Sequence, residues 1–482
     1  MTINSNDFKQ KIIKAFIWLS TGTFLGQLIA WCSTIIVIRL LDPSDYGLMA
    51  MAATFLALLT LLSELGVGAA IIQAATLSTN EIKQLFGLII LLSFAGWLII
   101  YMSAPYIASF FNEQKLIPLI RVISINFFLI ALFTIPMSLL VRDMNFKSKA
   151  KVDLTAQVGG SIVTLSMAYT GMGVWSLIGG LISIHIIKAI GYNLAVRRFY
   201  LPSFYFKESI KLMKFGILLT GDRLLFYVFT QSDKIIAGKV LGDVFLGFYS
   251  VALNLASIPA EKIIPIVTQV TFASYSRIQD DLQRINRNIL RTVKVMGFLT
   301  FPVFFGMAGV APEAIPILLG DKWIESILPF QLLCITLPLK ALSYIFPPAV
   351  FAIGKPKINL VNMAVTAVVM FISFIIGVQW GLIGLCLAWV LAYPLVFTIT
   401  TFRCLQVLEL PALSVLSATI FPFFASVIMV AVLYTLRYFL QGMNDFKFLL
   451  LSITTGALVY TLLILIFKRN MYQDFLKFVR KN

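Results

Sequence analysis

Long apolar runs recur from one end of the chain to the other, separated by short polar breaks. Fourteen stand out, at 12–38, 48–74, 84–110, 117–141, 152–170, 173–195, 209–238, 244–274, 289–310, 325–353, 358–378, 381–402, 412–436 and 446–467. Each has about 20 residues or more, the length at which a helix crosses about 30 Å of hydrocarbon. In that solvent every backbone N–H and C=O must find a partner inside its own segment, so the pattern predicts helices. The expectation is an all-α polytopic membrane protein of about fourteen spans. The connections are too short to hold a soluble catalytic domain.

The pattern also repeats. Lys11-Ile-Ile-Lys14-Ala-Phe-Ile-Trp-Leu-Ser20 lies over Lys211-Leu-Met-Lys214-Phe-Gly-Ile-Leu-Leu-Thr220 at an offset of 200. The same ungapped offset sets Ile35-Ile36 on Ile235-Ile236, Arg39 on Lys239, Leu41 on Leu241, Gly47 on Gly247 and Ala52 on Ala252. More loosely, Lys147 and Lys149 resemble Lys355 and Lys357, and short glycine turns follow near Gly171 and Gly381. The first six and next six segments therefore read as two copies in one orientation, with two segments added. The expected divisions are 1–200, 201–405 and 406–482. Parallel copies imply a pseudo-two-fold axis along the membrane normal, with a substrate cavity between the halves.

Composition agrees with the pattern. Hydrophobic residues make up 60% and charged residues 12%, with mean hydropathy +0.94; soluble domains carry about 25% charge. The formal charge of +17 would suggest nucleic acid in a soluble chain. Here its placement explains it. If the N-terminus is inside and the segments alternate, 26 Lys and Arg fall on the inner side. Only Arg39, Lys115, Lys239, Lys322, Arg437 and Lys447 fall outside. That asymmetry sets both termini in the cytoplasm, and no nucleic-acid partner is needed. The first run is too long for a signal peptide's apolar region of about 7–15 residues, so its retention is expected. Cys32, Cys334, Cys386 and Cys404 show no zinc or redox spacing, and His185 is the only histidine, which excludes a multi-histidine metal site.

An ionisable group near the bilayer centre costs about 2.5–3.5 kcal/mol on insertion scales, so such groups mark pathways or pairs. Inside the segments lie Arg121, Lys188, Arg223, Lys234, Lys262 and Lys340, with Glu64, Asp222, Asp233 and Glu261. Arg223, Glu261, Lys262, Lys340 and Glu64 sit near the midpoints of four segments. Asp222 and Asp233, like Arg223 and Lys234, are eleven apart, close to three helical turns, and so share a face. Two readings stand side by side, cavity-lining charges and cross-helix ion pairs. Cations in a wet cavity suit a phosphate or diphosphate. Acids among them suit a coupling H⁺ or Na⁺; no other cofactor and no metal site is expected. Gln27, Trp31, Gln73, Tyr227 and Gln231 would suit sugar rings, or plain packing.

Arg39-Leu-Leu-Asp-Pro-Ser-Asp45-Tyr-Gly47 precedes a segment ending Glu64-Leu-Gly66-Val-Gly-Ala-Ala-Ile-Ile-Gln73. This stretch resembles the start of the polysaccharide-transporter (Wzx-type) flippases of the MOP superfamily, which also holds the MATE antiporters and lipid II flippases. The resemblance is to the colanic-acid and teichuronic-acid exporter branch and covers the whole chain. It implies two MATE-like lobes around a cationic cavity. It also implies flipping of undecaprenyl-diphosphate-linked repeat units across the bacterial inner membrane, by alternating access coupled to an ion gradient. Arg39, Pro43, Asp45 and Gly47, at the outer end of the first segment, read as gate or loop structure. The expected partners are the lipid-linked oligosaccharide, the bilayer, and the polysaccharide polymerase and export machinery, with the chain itself a monomer. Two other readings compete. A drug or cation antiporter would favour an acidic cavity. A sugar polymerase or ligase would need a large outer loop with catalytic groups, whereas the longest here, about 311–324, offers only Glu313, Asp321 and Lys322. A non-enzyme is expected.

Overall fold

The computed structural model describes residues 26–64, 67–74, 76–197, 200–206, 220–276, 278, 281–440 and 442–468; the side chains of 59–64, 69, 220–223 and most of 263–276 lie outside that description. Every regular element among the described residues is helical. The order is α1 (Gly26–Leu40), α2 (Pro43–Glu64), α3 (Val67–Gln73), α4 (Thr79–Phe111), α5 (Leu116–Ile123), α6 (Asn126–Arg142), α7 (Phe146–Tyr169) and α8 (Val174–Val196). Then come α9 (Thr220–Ser276), α10 (Leu282–Leu319), α11 (Ile327–Ser343), α12 (Phe346–Ala352), α13 (Pro356–Gly377), α14 (Gly381–Val407), α15 (Ala412–Phe439) and α16 (Asp445–Phe467).

Nine helical stretches among the described residues are long and apolar enough to cross a membrane. Two of them are broken at a glycine of positive φ. In α9, Gly242 takes φ 84° and ψ −175°, which breaks the helix between two arms. In the stretch Pro356–Val407, a 3₁₀ turn at Val378–Trp380 and Gly381 at φ 69° separate α13 from α14. Glycine meets the positive φ at both places without a Cβ clash. The outer faces are apolar and bare. Ile99, Leu391, Leu395 and Leu458 are each at least 60% exposed. In water such a surface would aggregate; in lipid it is solvated. The chain is a multi-pass α-helical membrane protein.

The longest outer loop expected from the sequence is largely helical. Residues 311–324 are not a loop: α10 runs on to Leu319, and Asp321–Ser326 form a 3₁₀ turn. Pro312 and Pro316 suggest a loop, because each removes a backbone donor. Membrane helices tolerate that loss where neighbouring helices pack against them, and α10 packs on α11, α15 and α16.

The chain divides into two compact units. The first holds the residues up to Tyr227 together with Gly238–Gly247. Its core gathers Val67, Ile71, Leu85, Ile89 and Ile135 from α3, α4 and α6. The helix α4 begins at a capping box, in which Ser78 Oγ accepts from the Glu81 N–H at 3.1 Å and Glu81 accepts from the Ser78 N–H at 2.7 Å. The α7–α8 hairpin closes through small residues. A Cβ on Gly160 would lie 3.1 Å from the Gly180 carbonyl oxygen, and one on Gly180 3.3 Å from that of Gly160. Close backbone approach of this kind is how helices associate in lipid, where no hydrophobic force acts between them.

The second unit holds Val228–Ala237 and the chain from Phe248 onward. Its α13–α14 hairpin uses the same device, with Gly377 against Gly384. The added helices α15 and α16 are fastened to α10. Tyr460 donates to the Phe298 carbonyl at 3.0 Å. Arg437 on α15 makes a two-pronged pair with Glu313 on α10, at 2.7 and 2.6 Å, and also donates to the Gly309 carbonyl. Glu313 is buried and Arg437 only partly so. Glu313→Gln is therefore expected to destabilise the unit by roughly 1–3 kcal/mol, below the range for a fully buried pair because Arg437 is partly screened. The thermal midpoint in detergent should fall accordingly; an unchanged midpoint would show that the pair contributes nothing.

Candidate functional site

The second unit concentrates its buried polar chemistry around Asp233. Phe229 and Asp233 lie four residues apart on the first arm of α9, and Trp389 and Tyr393 four apart on α14, so each pair shares a helix face. Tyr249, on the second arm of α9, joins them. Its hydroxyl donates to Asp233 Oδ2 at 2.6 Å and accepts from Trp389 Nε1 at 2.8 Å. The other carboxylate oxygen accepts the Lys234 N–H at 2.8 Å. Asp233 is 1% exposed and Tyr249 is fully buried. The result is a directed chain, Trp389 N–H to Tyr249 O–H to the Asp233 carboxylate, linking α9 to α14.

Lys340 of α11 rests against this cluster. Its Nζ lies 5.0 Å from the Trp389 ring centroid and 5.5 Å from that of Phe229. Tyr393 stacks on Phe229 at 6.3 Å and donates to Ser343 Oγ at 3.2 Å, one turn beyond Lys340. Such ring faces hold a cation by about 0.5–2 kcal/mol without neutralising it. Among the described residues the half-buried ammonium of Lys340 has no hydrogen-bond partner. The arrangement therefore leaves three N–H donors available to an anion, beside a buried acid.

The remaining predicted charges divide. Lys234 and Lys262 are half-buried and Glu261 is exposed, all on the arms of α9. The side chains of Glu64, Asp222 and Arg223 lie outside the described residues. Arg121, in the first unit, stands 4.7 Å over the Tyr101 ring, its Nε buried without a hydrogen-bond partner. Lys188 is an ion-pair residue: it reaches Asp153 at 3.8 Å, where Lys149 and the Tyr192 hydroxyl also converge at 2.7 Å each. His185 bonds Asn126 at 2.5 Å and packs on Phe133. Tyr227, considered for sugar stacking, donates to the Thr54 carbonyl at 3.2 Å.

The first-loop motif forms a clasp within the first unit. A Cβ on Gly47 would overlap the backbone of Asp243, and one on Gly247 would overlap the backbone of Pro43. Gly47 and Gly247 are 200 residues apart, and so are Pro43 and Asp243. The two repeats thus present the same turn to each other reciprocally, as an isologous interface does. Ser44 Oγ bonds the Asp243 carboxylate across it. Asp45 instead caps α8, its Oδ1 accepting the Val174 N–H at 2.9 Å, while its Oδ2 accepts the Asp42 N–H at 3.1 Å. Arg39 is exposed.

Sequence reasoning finds Asp233 and Lys340 but misses Phe229, Tyr249, Trp389 and Tyr393. The four-residue spacing of Trp389 and Tyr393 is visible in the chain. Nothing in the sequence sets it apart from ordinary packing aromatics.

Known proteins give an independent view. The family model described as polysaccharide biosynthesis protein matches residues 36–328. The chain is 26% identical to the lipopolysaccharide biosynthesis protein WzxC of Escherichia coli (strain K12), over 90% of this chain and 89% of that one. It is 24% identical to the teichuronic acid biosynthesis protein TuaB of Bacillus subtilis (strain 168), over 83% and 84%. It is 25% identical to the succinoglycan biosynthesis transport protein ExoT of Rhizobium meliloti (strain 1021), over 95% and 93%. Its fold resembles that of the lipid II flippase MurJ in an inward closed conformation, with TM-score 0.74 and 17% identity over 95% of this chain and 100% of that one. An inward-facing multidrug resistance MATE family transporter of the MOP superfamily gives TM-score 0.58 at 18% identity, over 82% and 99%. With more than half its length matched by the family model and near-complete coverage by these relatives, the chain belongs to the polysaccharide biosynthesis protein family, on an α-helical fold shared with MOP-superfamily transporters.

Proposed function

We propose that this protein flips an undecaprenyl-diphosphate-linked oligosaccharide across the bacterial inner membrane, for surface polysaccharide synthesis, and catalyses no covalent step. The observation that carries the reading is Lys340, an ammonium held half-buried by aromatic faces with its donors unspent. A diphosphate offers such donors charge-assisted acceptors, and the adjoining rings of Trp389, Phe229 and Tyr393 offer apolar faces to sugars. Lys234, Lys262, Arg121 and Arg223 are assigned to the same anion path. Asp233 is the acid best disposed to exchange a coupling H⁺ or Na⁺, with Glu261, Asp222 and Glu64 as further members. The Pro43–Gly47 clasp serves as the outer gate, with Asp45 and Arg39 shaping it. The chain crosses the membrane fourteen times as a monomer with both termini in the cytoplasm, and hands its cargo to polymerase and export machinery. Its first two divisions, 1–200 and 201–405, are the transport lobes, and 406–482 is an addition.

An antiporter of organic cations is the competing reading. It fits less well, because an ammonium already occupies the aromatic faces that would attract such a cation. Binding separates the two. Full-length protein in detergent should bind an undecaprenyl-diphosphate oligosaccharide, and Lys340→Met should weaken that binding about 10–100-fold. This is the loss of one charge-assisted bond of about 1.5–3 kcal/mol. The same oligosaccharide without its diphosphate should not distinguish the two proteins. Equal affinity for the intact ligand in both would remove Lys340 from the site, and tight binding of cationic dyes instead would favour the antiporter.

A further inference from the structure

The first unit carries two neighbouring cavities that the transport reading does not use. One chamber, about 550 Å³, is lined almost wholly by apolar side chains of α4, α6 and α8, among them Phe86, Pro136 and Ile190. The other, about 370 Å³, is polar and contains Arg142, Asp143 and Asn145. Tyr200 lines both, so the chambers adjoin. Each is within the range of about 300–1,000 Å³ usual for ligand pockets.

The local sequence explains the apolar chamber. Pro136 has no N–H, so the Leu132 carbonyl one turn earlier loses its helical partner. Asn193 of α8 supplies a replacement, donating to that carbonyl at 2.9 Å and to the Ala189 carbonyl at 2.8 Å. The exposed backbone is thereby satisfied from within, and the notch beside it can remain apolar. It opens on the outer face: Leu194 is 69% exposed. At its mouth α8 ends on Arg197, exposed and in the left-handed conformation at φ 53°. Among the described residues the Arg197 guanidinium has no partner. Arg142 is fixed by its bond to the Ile71 carbonyl at 2.6 Å.

We propose that the two chambers together form a binding site for one phosphatidylglycerol, which passes beside Tyr200. An acyl chain fills the apolar chamber, since in a bilayer lipid is what meets an apolar notch on the outer face. The phosphate sits at Arg197 and the Tyr200 hydroxyl. The headgroup hydroxyls reach the polar chamber, where the Asp143 carboxylate accepts from them. The charges suit this head: among the described lining residues, two arginines and one carboxylate leave one positive charge for one phosphodiester. A choline head brings a bulky cation with no hydroxyl to donate. The site shares no residue with the Asp233–Lys340 cluster, so it stands whether or not the proposed transport is right.

Native mass spectrometry of delipidated full-length protein, titrated with dioleoyl lipids that differ only in the head, tests it. Phosphatidylglycerol should bind at least about 10-fold more tightly than phosphatidylcholine or phosphatidylethanolamine. Arg197→Asn, whose new residue tolerates the left-handed backbone, should abolish that preference while leaving weak binding of all three. Ile190→Trp, which fills the apolar chamber, should reduce binding of every lipid. The proposal is overturned if the three heads bind alike, if either variant, folded by gel filtration, binds as wild type does, or if undecaprenyl phosphate alone binds the site tightly.

Discussion

Lys340→Met is expected to leave a folded protein that has lost nine-tenths or more of its transport. The thioether keeps the length and apolar character of the lysine stem and still packs on Trp389 and Phe229, so the aromatic faces stay covered. What disappears is the charge. A charge-assisted bond of about 1.5–3 kcal/mol, made to the passing diphosphate, corresponds to roughly a 10–100-fold effect. Lys340→Arg should retain part of the rate, because a guanidinium stacks on aromatic rings and binds phosphate through a fork. A purely structural lysine would give the opposite pattern, with the bulkier arginine at least as harmful as methionine. Flux and thermal midpoint, measured together on the three proteins, separate these cases.

The clasp carries the second large effect. Replacing Ser44 and Asp243 by cysteine, in a chain whose four native cysteines are serine, should allow oxidation to join the two turns that already touch. Transport should stop on oxidation and return with dithiothreitol. In that background, Gly47→Val should abolish the cross-link, since a side chain there would overlap the Asp243 backbone. It should also impair transport, because the closed arrangement of the clasp is lost. A fully cross-linked protein that transports at the unoxidised rate would show that the clasp need not open.

These two sites are legible in the sequence to different depths. The helices are plain, because lipid permits few other backbones and the apolar runs have the right length. The repeat is plain as well, and it leads directly to the clasp: the offset alone matches Gly47 with Gly247. What the offset does not reveal is that each glycine meets the other repeat's partner, for that depends on how the turns face. Sequence reasoning ends α10 too early because Pro312 and Pro316 are strong local breakers, whereas the packing that overrides them is tertiary. Charged residues in apolar segments are easy to find and hard to sort. Lys188 and Lys340 look alike in the sequence, yet one meets Asp153 on a neighbouring helix and the other meets ring faces. Their difference lies in the partner helix, which a periodic pattern does not name. Glu313 and Arg437 likewise read as members of outer connections, and they bind α10 to α15.

The most direct measurement is leaflet transfer in proteoliposomes. A fluorescent undecaprenyl-diphosphate oligosaccharide would be followed by quenching from one side, with wild type, Lys340→Met and protein-free vesicles run together. Wild type is expected to expose the label rapidly, and Lys340→Met to expose it at a rate close to that of protein-free vesicles. Wild type that moves no lipid-linked sugar but expels cationic dyes would overturn the proposed flipping in favour of the antiporter.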